Sequence, residues 1–228
     1  MLNNFFFIGL PYIVIVLFLV GSIVRYKKRG FQVSSLSSQL LEKKKLFFGS
    51  NPFHYGILFL FFGHLTAFLF PRNVIAWNSQ PVRLIILEIT AFAFGISVLF
   101  GAVMLIIRRL GTKRIRVVTS RMDIVVYGLL FTQIVTGLII AYFVRWGSTW
   151  FATSLTPYLK SLFIFVPNIR PITEMPFVVK LHMVSAFTII GMIPFTRLMH
   201  ILVFPFNYII RKYQYVIWNW DRKKRRIE

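Results

Sequence analysis

The stretch SNPFHYGILFLFFGHLTAFLFPR, Ser50 to Arg72, carries no fixed charge before its last residue, and none lies between it and Lys45. At about 1.5 Å per residue it can cross a bilayer core as a helix, a local structure that satisfies its own backbone in hydrocarbon. Yet it holds two histidines, His54 and His64. Ionisable groups at membrane depth are costly and point to function, unless a neighbouring helix simply takes up their hydrogen bonds.

Four more apolar segments flank this one, at about 5–24, 82–107, 123–144 and 177–205, with the quoted segment covering about 49–70. The 228 residues are 57% hydrophobic, with 26 phenylalanines and a mean hydropathy of +0.72, far from the balance of a soluble domain. The expected fold is an all-α membrane protein, a single domain built as a five-helix transmembrane bundle. The first run has no basic residue before it and RYKKRG after it. It therefore reads as a retained helix and not as a cleaved signal. There are no cysteines, which excludes disulfides, iron–sulfur clusters, thiolate metal sites and covalent haem attachment through C-x-x-C-H.

The net charge of +21 sits in short runs at the ends of the apolar segments. That placement speaks for membrane orientation and against nucleic acid. Of the 27 basic residues, 21 fall on the side that holds Arg25–Arg29, Lys43–Lys45, Arg108–Arg121, Arg197 and the tail, and six on the other: Arg72, Arg83, Arg145, Lys160, Arg170 and Lys180. The N-terminus is thus expected outside and the C-terminus in the cytoplasm, in a multi-pass inner-membrane protein. The long 145–176 connection, with Trp146, Trp150 and four prolines, is expected at the outer interface. Residues 206–228 form a basic, aromatic-rich cytoplasmic tail suited to anionic lipid or a docking partner.

The four histidines of the chain all lie on the second and fifth segments. On a straight fifth helix His182 and His200 would point the same way, roughly 27 Å apart; His54 and His64 would be roughly 15 Å apart in height and differ by about 80° in direction. One four-histidine zinc site is then excluded, because its ligands would need to lie within about 2.1 Å of one metal. The segments run antiparallel. His54 therefore pairs with His200 near the cytoplasm, and His64 with His182 near the outside. Irons midway between the partners would stand roughly 21 Å apart in height. Two stacked haems with bis-histidine ligation fit that gap, and two strong nitrogen ligands leave no open position for oxygen chemistry.

Several other residues have two readings each. Gly56 and Gly63 would let a flat macrocycle approach or would allow helices to pack closely. Arg197 would pair with a haem propionate or snorkel to the interface, and Pro194 is expected to kink the fifth helix. Arg83, level with His64, would meet a quinone oxygen or anchor the interface. Glu88 would relay a proton or serve as an interhelical hydrogen-bond partner. Asp123 reads as a helix-start residue.

The stretches SNPFHYGILFLFFGH, VKLHMVSAFTIIGMIPFTRLMHI and YIIRKYQYV resemble the gamma subunit of respiratory membrane-bound nitrate reductase, over nearly the whole chain. The resemblance implies a dihaem cytochrome b whose inner haem is held by His54 and His200 and whose outer haem is held by His64 and His182. It implies quinol as the substrate, oxidised near the outer haem beside Gly63 and Arg83. Electrons would pass through two haem b groups to an iron–sulfur beta subunit and a molybdenum-containing alpha subunit that reduces nitrate. Where the family has a lysine by the outer haem, the nearest basic residue here is Arg83, a fixed planar fork in place of a point charge.

Two alternatives stand beside this reading. A dihaem cytochrome b of another quinone-linked complex would use the same ligands. A haem-free transporter or anchor would use the histidines for packing or proton relay, but the sequence lacks the repeats or Gly/Pro-broken helix pairs of transporter cores.

Overall fold

The computed structural model describes residues 2–29 and 41–202; the expected tail and the last residues of the fifth segment lie outside the described residues. Among the described residues, five helical spans are long and apolar enough to cross a membrane, the fifth counted through Phe195. They are α1 (Leu10–Arg29), entered through a π-helical turn at Phe5–Gly9, then α2 (Lys44–Leu69), α3 (Pro81–Gly111), α4 (Arg121–Phe143) and α5 (Phe177–Met192). Pro81 opens α3, where its missing N–H costs nothing. Ser120 and Asp123 open α4 with a reciprocal capping box, so Asp123 takes the helix-start role its position suggests.

The fifth segment differs from the straight helix expected over 177–205. The α-helix stops at Met192, a 3-10 turn covers Ile193–Phe195, and a second 3-10 stretch runs Arg197–Leu202. Between them Thr196 is fully extended (φ −125°, ψ −177°). Pro194 is the cause: it has no N–H to offer the Ile190 carbonyl, which takes the Ile193 N–H instead. His182 and His200 therefore sit on separate elements, and the five-turn spacing does not describe them.

Helices in lipid gain little from hydrophobic association and rely on close packing of small residues. α2 and α3 meet this way. A Cβ on Gly56 would lie 2.5 Å from Val98 Cγ2, and one on Gly101 would lie 2.6 Å from the Phe53 backbone nitrogen. Gly56 therefore serves helix packing, the second of its two readings. α3 packs on α4, while α5 packs between α4 and α1. α2, which carries His54 and His64, and α5, which carries His182, do not pack closely on each other.

One end of the bundle is basic and tied by ion pairs. Arg108 Nε meets Glu42 Oε2 at 2.7 Å, and Asp123 binds both Arg109 (3.4 Å) and Arg197 (3.0 Å). Glu42 also caps α2, accepting from the Lys45 and Leu46 amides. At the other end the 145–176 connection is folded, with short helices at Gly147–Trp150, Thr156–Phe163 and Arg170–Thr173. Tyr158, Leu162 and Ile172 bury against Phe7, Val179 and Met183, and the Tyr158 hydroxyl donates to the Phe7 carbonyl at 2.8 Å.

Two outcomes follow from these contacts. Gly101→Ala must displace the Phe53 backbone and is expected to lower stability by about 1–3 kcal/mol, seen as a fall in Tm in detergent. Gly128→Ala, with nothing within 4 Å of the new Cβ, should show no fall; equal Tm values for the two variants would contradict the packing argument. Desolvation raises the Glu42 carboxyl, but the Lys45 amide, Arg108 and the Leu46 amide outweigh it and hold the pKa below its ordinary 4.5. A depressed folded pKa gives stability that is complete above the unfolded value and fades as pH falls through the folded one. Glu42→Gln should therefore flatten the loss of Tm below about pH 4.5 and leave its shape near neutrality unchanged.

Candidate functional site

The break after Met192 delivers His200 to α2. Its ring centre stands 6.4 Å from that of His54, with the rings tilted by 59°. Two imidazoles on opposite sides of one metal have centres about 6.2 Å apart, taking about 2 Å for each metal–nitrogen bond and about 1.1 Å from nitrogen to ring centre. The tilt is no obstacle, since each ring can turn about its own metal–nitrogen axis.

The hydrogen bonds fix which nitrogen of each ring keeps its lone pair. His54 Nδ1 lies 2.7 Å from the Ser50 carbonyl oxygen and His200 Nδ1 lies 2.8 Å from that of Arg197. A carbonyl only accepts, so both Nδ1 atoms carry the proton and both Nε2 atoms keep a lone pair. A second-shell acceptor of this kind holds ring and tautomer for metal ligation. The residues of this pair fit a haem held through nitrogen on both faces.

His64 follows the same pattern one bundle level away. Its Nδ1 lies 2.7 Å from the Leu60 carbonyl oxygen, and the ring edge meets Phe151 at 5.3 Å. Its expected partner, His182, is held differently. Thr136 Oγ1 donates to the Thr132 carbonyl at 2.7 Å, so it accepts from His182 Nδ1–H at 2.9 Å. The Gln133 amide donates to His182 Nε2 at 2.9 Å, and Ser185 Oγ donates to the Gln133 carbonyl oxygen. The tautomer again suits ligation, with the lone pair shared with Gln133. Gly137 makes the room, since a Cβ there would stand 3.1 Å from His182 Cε1.

Sequence reasoning missed Gln133, Thr136 and Gly137. Their signal was present: Thr132, Gln133 and Thr136 are polar residues at helical spacing inside an otherwise apolar α4.

The remaining candidates are placed as follows. Arg197 gives Nε to Asp123 and Nη2 to the Val118 carbonyl at 2.9 Å, which leaves Nη1 outside these bonds. Arg83 is exposed and stacks on Trp77, 5.1 Å from the ring centre. Gly63, next to His64, has nothing within 4 Å of where a Cβ would stand. Glu88 Oε1 accepts from Ser148 N–H (3.0 Å) and Ser148 Oγ–H (2.6 Å), anchoring the 145–176 connection. These bonds give it the hydrogen-bonding role of its two readings.

The chain is similar to known proteins over nearly its full length. The family model described as nitrate reductase gamma subunit matches residues 3–219. The respiratory nitrate reductase 2 gamma chain of Escherichia coli K12 is 34% identical over 219 residues, covering 94% of this chain and 96% of that protein. The nitrate reductase gamma chain of Bacillus subtilis 168 is 35% identical over 208 residues, covering 90% and 93%. The nitrate reductase-like protein NarX of Mycobacterium tuberculosis is 28% identical over 221 residues, 93% of this chain but 33% of that protein.

Thr136→Val would leave the half-buried His182 Nδ1–H without its acceptor. A loss of about 1 kcal/mol is expected, read as a lower Tm, with Thr136→Ser restoring it. Equal stability in Val and Ser variants would show that the hydroxyl does not hold the ring.

Proposed function

Because the chain belongs to the nitrate reductase gamma subunit family, we propose that it is a dihaem cytochrome b that oxidises quinol and feeds electrons to its nitrate reductase partners. Family membership makes it a membrane-anchored subunit of a multi-subunit oxidoreductase. The finer reading rests above all on one observation, the His54–His200 pair at 6.4 Å with both Nε2 lone pairs available.

In this reading His54 and His200 hold the inner haem b, and His64 and His182 hold the outer. The bound haems supply reversible one-electron transfer between two depths of the membrane. The protein's own work is to fix the four histidines in one tautomer, so that their Nε2 lone pairs would be available to the haems.

Quinol would be oxidised beside His64, at the end opposite the basic one. Gly63 leaves one face of α2 open there. The stacked Arg83 guanidinium keeps its N–H edges free to donate to a quinol oxygen. Oxidation releases two protons and two electrons from quinol. With the basic end in the cytoplasm, the protons leave outside and the electrons move inward, separating charge. Glu88 is not assigned a proton step, because Ser148 binds it.

The basic end would also receive the partner. Lys113, Arg114, Arg116 and Arg121 are exposed there and suit an acidic face of an iron–sulfur beta subunit, which passes electrons to a molybdenum-containing alpha subunit.

Reduced-minus-oxidised spectra and the haem-to-protein ratio of the purified chain are expected to give two b haems. His64→Ala should lower the ratio from about two to about one and abolish quinol oxidation, while the His54–His200 haem remains. Unchanged haem content and activity in this variant would refute the assignment.

A further inference from the structure

The break in the fifth segment leaves backbone carbonyls without their helical donors. Leu198 N–H, which would bond the Pro194 carbonyl in a continuing α-helix, is taken by Thr196 Oγ1 at 3.3 Å. The Thr196 hydroxyl itself turns back to the Met192 carbonyl at 2.9 Å. Freed carbonyls at membrane depth are costly unless another group reaches them.

α1 supplies that group. Arg25 Nη1 lies 2.5 Å from the Pro194 carbonyl oxygen and 3.1 Å from that of Thr196. One turn earlier on the same face, Gly21 admits the bend, since a Cβ there would stand 3.0 Å from Pro194 Cβ and 3.2 Å from Phe195 Cζ. A snorkelling arginine would direct its head to water or lipid headgroups. Arg25 instead spends its charge on two backbone oxygens 169 and 171 residues away in sequence.

These carbonyls belong to the turn that carries His200. From Thr196 the chain continues directly into Arg197–Leu202, and the Arg197 carbonyl accepts the His200 Nδ1–H. The far side of the turn is held by Arg197 on Asp123 of α4. The segment is therefore clamped between α1 and α4. We propose that Arg25 is a positioning residue for His200: by holding the Pro194 and Thr196 carbonyls it sets the approach of that imidazole to His54.

This inference rests on reading His54 and His200 as a ligand pair, and the test separates the two. The holo-complex is prepared in membranes from wild type, His54→Ala, Arg25→Ala, Arg25→Lys and Gly21→Leu. Haem-to-protein ratio and the low-spin ferric EPR signals are recorded, with His54→Ala identifying the inner signal by its loss. A wild type that lacks an inner signal refutes the ligand assignment itself, whatever the variants do.

With that signal present, Arg25→Ala should shift or abolish it and leave the outer signal in place. Gly21→Leu, which presses on Pro194 from the same helix, should perturb the same signal. Arg25→Lys, a single ammonium in place of the fork, should fall between Ala and wild type. The proposal is overturned if Arg25→Ala keeps both signals at wild-type position and ratio, as a plain interface anchor would. It is equally overturned if Arg25→Ala and Gly21→Leu lose both signals together, since the role is then general folding.

Discussion

An imidazole can offer a lone pair at one nitrogen only if the other keeps the proton, and in hydrocarbon that proton needs an acceptor. This constraint organises the site. His54, His64 and His200 give the proton to a carbonyl three or four residues earlier in their own helical segment. The acceptor thus comes with the backbone and needs no further side chain. It also aims each ring, because a carbonyl of the preceding turn fixes where Nδ1 must lie. His182 meets the same demand from outside, through Thr136 on α4.

The polar residues at the basic end have a comparable task at the level of whole helices. Glu42 joins the start of α2 to α3 through Arg108, and Asp123 joins α4 to α3 through Arg109 and to the His200 segment through Arg197. Each acidic residue also caps a helix start. One carboxylate therefore satisfies free N–H groups and fixes a neighbour at once. These ties matter because α2 and α5 do not pack closely on each other. Their mutual position comes from what each shares with α3, α4 and α1.

Much of this was legible in the sequence. Hydropathy gave five spans, and chain direction alone paired His54 with His200, since antiparallel segments put the first histidine of one beside the last of the other. The height argument failed in part, because it assumed a straight helix between His182 and His200. Pro194 signalled the bend, but no residue pattern says how far the chain departs from a helix after a proline. Arg25 was counted as one basic residue among 27. Its bond to carbonyls on a distant element leaves no trace in spacing or composition. Gly56 and Gly63 show the same limit. They share a heptad position on α2, yet one faces Val98 at contact and the other faces nothing within 4 Å, because helix separation decides the matter.

The two expected histidine pairs are also chemically unequal. At the basic end both Nδ1 protons go to backbone carbonyls; at the other end one goes to a threonine hydroxyl. A carbonyl accepts more strongly than a hydroxyl whose own proton is committed elsewhere, and a stronger acceptor makes the imidazole a more basic ligand. At the end away from the basic one His64 still uses a backbone carbonyl, while His182 is held by side chains of α4, with Gln133 at its Nε2. At the basic end His54 and His200 are both held by backbone, and the His200 segment is tied to Arg25 and, through Arg197, to Asp123. On the proposed function, the histidine held by side chains lies at the end assigned to quinol, and the two held by backbone lie at the end assigned to the protein partner.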